Sequence, residues 1–242
     1  RGHPDLTSFN GMIAHELFHN YLGRNHASLL NCGGQAISEN CTNIEYSFFD
    51  LLGSGIYLTT LNAFYKEQIG WLHDVDFQTI TQSGRYTIRP INSTSGIRAA
   101  KIRVGDEEPY YLEFHRPTGM SVNLANPRLS FNTQGLFVNL AARELSGSVM
   151  QPASYLLNMN PDISPALLDQ VTLNGNRVFE DRSRGIKIGP VVSADDSGVT
   201  FEVSIENPAT AGGCVRSNPV ASSFTPQGTN QSDFSITFNL RN

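Results

Sequence analysis

The stretch HELFHNYLGRNHA, His15 to Ala27, decides the reading. Asn10 can cap a helix that starts at Gly11, and Ile13, Leu17 and Tyr21 recur at i, i+4 and i+8. Gly23 is a natural helix stop. On such a helix His15 and His19 stand four residues apart, and four steps of about 100° place one imidazole almost over the other. Two imidazoles on one face can share a metal ion. Glu16 sits one step round, where a carboxylate reaches a metal-activated water without ligating the metal. His26 follows the helix stop within three residues and offers a third nitrogen. Three neutral nitrogen ligands leave one open position, the mark of a catalytic rather than a structural zinc site. The expected centre is therefore Zn2+ on His15, His19 and His26, with Glu16 as general base.

Working outward, residues 27–43 (ASLLNCGGQAISENCTN) read as loop. A second amphipathic stretch runs from Leu61 to Leu72, with Ala63, Phe64 and Ile69 facing inward. Beyond residue 78 the apolar period changes from 3.6 to 2. Ala100, Ile102 and Val104 alternate with polar residues, as do Tyr110, Leu112 and Phe114, and again Val199, Phe201, Val203 and Ile205. Many short strands between turn residues predict an antiparallel sandwich-like domain. Residues 206–233 read as a Pro/Gly/Ser/Thr-rich linker, and Phe234, Ile236, Phe238 and Leu240 as the first strand of a further β-domain.

The 242 residues carry 17 Lys and Arg against 22 Asp and Glu, a net charge of -5. This excludes the basic field that holds nucleic acid or an anionic membrane. No apolar run is long enough for a membrane-spanning helix. The opening RGHPDLTSFNGM has no signal-peptide pattern. Of three cysteines, Cys32 and Cys41 flank a short loop and are expected to pair, which leaves Cys214 over. Asn40, Asn92 and Asn230 stand in Asn-x-Ser/Thr triplets, the acceptor pattern of secreted glycoproteins.

The zinc motif, the Gly and the His-Ala that follow it resemble the metzincin metallopeptidases, in particular their gametolysin-like branch. A second stretch, EYSFFDLLGSG followed by LNAFYKEQIGWL (Glu45 to Leu72), resembles the Met-turn of that branch and the helix after it. YYLEFHRPTG and YLLNMNP resemble its following β-domain, so the likeness spans about residues 10–205. The resemblance implies a secreted zinc endopeptidase acting on protein or peptide substrates, with extracellular matrix or cell-wall glycoproteins in view. It also implies that Leu52 takes the place of the turn's Met as the apolar floor below the metal. The chain departs from the family in having one extra residue before Gly23, which rotates His26 by about 100° unless the turn compensates. Only fourteen residues precede His15, where the family builds half its catalytic domain, so the chain is either a fragment or a relative without a substrate cleft. The rival readings are a non-catalytic adhesion or matrix-binding module and a zinc hydrolase of a non-peptide substrate.

The expected architecture is α+β. Residues 1–78 form the C-terminal part of a metzincin-like catalytic domain, 79–207 an antiparallel β-domain, and 208–242 a linker with a truncated strand. Glu45 competes with His26 as third ligand. His73 and His115 read as polar positions on a helix end and a strand, His3 as a terminal residue, and Tyr46 and Tyr57 as packing residues. Asp195 and Asp196 mark a hairpin turn, Arg182 and Arg184 are solvated, and Trp71 anchors its helix on the β-domain.

Overall fold

The computed structural model describes residues 6–22, 25–38, 40–53, 59–104, 108–125, 133–146, 148–162 and 171–206. The period-2 segments form strands. They are β3 (Phe77–Ile80), β4 (Gly84–Ile88), β5 (Ala99–Ile102), β6 (Tyr110–Phe114), β7 (Leu136–Ser146), β8 (Val149–Leu157), β9 (Phe179–Asp181), β10 (Ile186–Asp195) and β11 (Gly198–Ile205). Two more strands lie upstream, β1 (Ala27–Asn31) and β2 (Thr42–Tyr46). The helices are α1 (Leu6–Leu22) and α2 (Ala63–Gln68), with short 3-10 turns at Asp74–Asp76 and Gly119–Ala125. The fold is mixed α+β and mostly sheet.

The strands form a seven-stranded sheet in the order β2-β1-β8-β7-β6-β5-β3 and a four-stranded sheet in the order β4-β11-β10-β9. Alternation explains why the two stack. Ile102, Tyr110, Leu112 and Phe114 of the large sheet share one apolar cluster with Phe201 and Val203 of the small one. The opposite face of the large sheet is also covered. Tyr111 packs with Phe64 and Tyr65 of α2, so all five residues of β6 are buried. Asp195 closes the β10–β11 hairpin, its Oδ1 accepting from the Ser197 amide at 2.7 Å and hydroxyl at 2.6 Å, as the sequence predicts.

Several expectations need correction. Residues 27–43 are not all loop, because Ala27–Asn31 pairs in parallel with β8 and antiparallel with β2. A five-residue strand has little pattern of its own, and its partner lies more than 120 residues away. The large sheet is not purely antiparallel, since β3 also pairs in parallel with β5. β1 and β2, which precede residue 78, join the sheet built by β5 to β8. Helix α1 begins at Leu6, which places Asn10 inside it rather than at its cap. Helix α2 is one turn and a half, not twelve residues. Asn62 caps it by accepting from the Tyr65 amide, and Gly70, at φ 74°, turns the chain so that the Trp71 and Leu72 amides return to the Lys66 carbonyl.

Cys32 and Cys41 are disulfide-bonded and tie together the loop from β1 to β2. Gly23, His3, Tyr57, Cys214, Asn230, the linker and the strand expected over 234–240 lie outside the described residues. No helix among the described residues is long and apolar enough to cross a membrane.

Candidate metal centre

Helix α1 turns a different face inward from the one its apolar stripe suggests. Ile13 and Leu17 are exposed at 45% and 52%. One step round, Ala14 and Phe18 pack against the cluster that contains Leu52, Leu61 and Tyr65, and His15 is buried between them. Trp71 is more than half exposed, and its ring meets Phe18 edge-on at 5.7 Å. It therefore rests on α1 rather than anchoring α2 to the sheets.

His15 is held by the buried turn at residues 47–53. Its Nδ1 lies 2.8 Å from the Leu51 carbonyl oxygen. A carbonyl only accepts, so Nδ1 carries a proton, and in the neutral ring that tautomer leaves the Nε2 lone pair free to ligate. Leu52 is fully buried beside this turn. Gly53 is required there, because a Cβ would run into the backbone of Ser47. The turn is fastened by Asp50, 2% exposed, whose Oδ1 accepts from the Leu52 amide at 2.6 Å and Oδ2 from the Asn62 amide at 2.5 Å. Burial pushes the Asp50 carboxyl up to about 7, against the pull of those two amides.

The chain returns from α1 along a well-bonded path. The Asn25 amide donates to the Pro152 carbonyl at 3.0 Å, and the Asn25 side chain to Glu144 at 2.9 Å. The Tyr65 hydroxyl donates to the carbonyls of Asn25 at 2.7 Å and His26 at 3.0 Å. The Ala27 amide donates to the Leu52 carbonyl at 3.1 Å, and the Ala27 carbonyl accepts from the Ser47 amide at 2.8 Å. His26 is thus fixed at the entry to β1, and the extra residue before Gly23 does not carry it away from its partners.

The three imidazoles converge. Nε2 of His19 lies 2.9 Å from Nε2 of His15, and the ring of His26 is centred 4.4 Å from that of His19 and 5.3 Å from that of His15. One nitrogen from each falls within 4.8 Å of the others. Zinc–nitrogen bonds of about 2.0–2.1 Å at tetrahedral angles set ligating nitrogens roughly 3.3 Å apart. The donor set therefore fits a metal ion in kind and in spacing. Burial, then the neighbouring His19 and His15, lower the His26 pKa to about 4, while the nearby charge of Glu16 opposes them. His26 is neutral, as a ligand must be, well below neutral pH. Glu16 is exposed on the next helix position, outside the ligand group, and close enough for its charge to act on His26. Glu45 lies on β2, and its side chain and that of Tyr46 are not among the described ones.

The remaining candidates lie elsewhere. His73 is exposed and starts the Asp74–Asp76 turn. His115 is fully buried, with Nε2 3.0 Å from the carboxylate of Glu113 and its ring against Phe137. Arg184 is not solvated, since it spans Asp181, the Glu108 carbonyl and the face of Tyr110, whereas Arg182 is exposed. The sequence reading missed Asp50 and Tyr65, which place the centre. A lone carboxylate inside the apolar run SFFDLLG is the available signal, because a buried charge needs donors. Tyr65 had none beyond its position in an apolar stretch.

Comparison of the chain with protein families, with curated proteins and with solved structures found no match in any of the three.

Proposed function

We propose that this chain is a secreted zinc-dependent endopeptidase, similar to the gametolysin-like metzincins. The observation that carries the reading is the convergence of His15 and His19 from α1 with His26 from the entry to β1, with the His15 tautomer set for ligation. When bound, zinc supplies Lewis-acid activation of water and of the scissile carbonyl. Glu16 takes a proton from the attacking water and passes it to the leaving amine nitrogen. Leu52 closes the apolar floor beneath the histidines. The Cys32–Cys41 bond supports an oxidising compartment, and exposed Asn40 beside it is a suitable glycan acceptor. Asn92 is a poorer acceptor, because its amide already donates to Ser121 at 2.9 Å.

The test is metal analysis of the purified chain, together with turnover of casein by the protein in its full natural length. One zinc per chain and chelator-sensitive turnover are expected. Glu16→Gln should keep the metal and lose about 10²-fold or more in kcat, because the amide cannot accept the proton. Wild-type turnover by Glu16→Gln removes Glu16 from the mechanism. A non-catalytic matrix-binding module is the second reading, favoured by the large share of the described residues in the two sheets. It needs no stoichiometric zinc.

A further inference from the structure

We infer that Asp50 is a positioning residue for the three-histidine centre: its carboxyl group holds the turn whose carbonyls grip both His15 and the strand that follows His26. The inference rests on the reading of that cluster as a metal centre.

The bonds form a single chain of constraint. Asp50 Oδ1 accepts from the Leu52 amide and Oδ2 from the Asn62 amide, so one side chain closes the turn and fastens it to the start of α2. Asn62 is itself tied to the large sheet, its side chain donating to Ser154 of β8 at 3.0 Å. The Leu51 amide donates to the Thr60 carbonyl at 3.2 Å, and the Gly53 amide to the Asp50 carbonyl at 3.0 Å. With the turn fixed, successive carbonyls point in useful directions. That of Leu51 receives the Nδ1 proton of His15, and that of Leu52 receives the amide of Ala27, the residue after His26. Through that turn Asp50 bears on the orientation of His15 and on the backbone that follows His26.

The chemistry of the site asks for two acceptor oxygens on one side chain. Two backbone N–H groups point at the two oxygens of a side chain that is only 2% exposed. An amide of the same shape offers one oxygen and turns its NH2 toward the other donor, so one of the two anchors must let go. The turn then loosens, and the Leu51 carbonyl no longer holds His15 in one orientation. Losing the group that orients a ligating histidine typically weakens metal binding 10–100-fold.

The experiment measures zinc affinity by competition with a chromophoric chelator, and the visible absorption bands of the Co2+-loaded protein, for wild type, Asp50→Asn and Asp50→Glu. Val203→Ala, in the sandwich core, serves as a control for general loss of stability. Asp50→Asn should bind zinc 10–100-fold more weakly and shift the cobalt bands. Val203→Ala should lower the thermal midpoint while leaving affinity and bands unchanged. Should Asp50→Asn fail to fold, Asp50→Glu is decisive: it keeps both oxygens one methylene further out and should displace the bands in the same way. Wild-type affinity and bands in the folded Asp50 variant overturn the inference and leave the metal centre standing. So does an equal loss of affinity in Val203→Ala, since Asp50 would then act through stability alone. If wild type itself takes up neither zinc nor cobalt stoichiometrically, the metal-centre reading falls first.

Discussion

The two faces of the seven-stranded sheet are built on different principles. Against the small sheet, the core is mainly aliphatic and aromatic, with Ile102, Leu112, Phe114 and Phe201 all fully buried and one buried polar pair, the Tyr110 hydroxyl donating to Asp181 at 2.7 Å. Against the helices, apolar residues share the interior with Asp50, Asn62, Lys66 and Glu113. There the geometry comes from bonds. Glu113 accepts from the Ala63 amide at the start of α2 at 2.6 Å and from Asn139 at 2.9 Å, and Asp50 fastens the turn below His15. Hydrophobic burial is non-directional, whereas a satisfied buried carboxylate fixes where specific backbone atoms lie. On the face that carries the three imidazoles, the directional device sits at the turn and the helix start that place them.

The largest expected effect is on the apolar face. Phe201→Ala should cost about 3–5 kcal/mol of unfolding free energy, through lost burial and the cavity it leaves. Zinc bound per folded molecule should not change, because no bond of the centre passes through β11. Chemical denaturation followed by metal analysis checks both halves. A loss of zinc affinity in the fully folded variant would break the separation between the two faces.

The disulfide sits at the edge of the large sheet, in a loop whose Ala36 and Ile37 pack against the apolar cluster between the sheets. Replacing both Cys32 and Cys41 by Ser should cost roughly 2–3 kcal/mol by freeing a short loop in the unfolded chain. The β1–β2 hairpin should show the effect first, as faster amide exchange over Leu29–Asn31, since β2 lies at the sheet edge with β1 as its partner. Uniform loss of protection across β5 to β7 as well would mean that the hairpin unfolds only with the whole sheet.

This division also explains what was legible in the sequence. Period-2 alternation located β5, β6 and β11 because each needs only its own residues to declare an apolar face. The His15–His19 spacing and the nearness of His26 were equally local signals, and the three rings do converge. The inward face of α1 was missed by one step, since Ile13 and Leu17 are exposed while Ala14 and Phe18 are partly buried against the core. β1 was missed because its strand character comes from β8, far along the chain. Tyr65 and Asp50 were missed because their role lies in which backbone atoms they meet, and no local pattern encodes that.

The smallest effect separates the two faces by pH. The metal-side interior holds His26, lowered to about 4 by burial and the neighbouring histidines, and Asp50, raised to about 7 by burial. In the metal-free protein these act in opposite directions. Between about pH 4 and its ordinary value of 6.5, an unfolded His26 holds a proton that the folded residue refuses. Raising the pH through that window therefore adds stability. Folded Asp50 keeps its proton up to about pH 7, whereas the unfolded side chain releases it near 3.8, so raising the pH from about 4 to 7 removes stability. Solvent screens half-buried His26, and Asp50 is fully enclosed, so the Asp50 slope should dominate and stability should fall across this range. Denaturation midpoints measured at intervals from pH 4 to 8 test the sign through differences between variants. His26→Gln should steepen the fall. Asp50→Asn should turn it into a shallow rise that ends near pH 6.5. Should Asp50→Asn keep the wild-type slope, the buried carboxyl is not its source, and the directional face of the sheet is no more pH-sensitive than the apolar one.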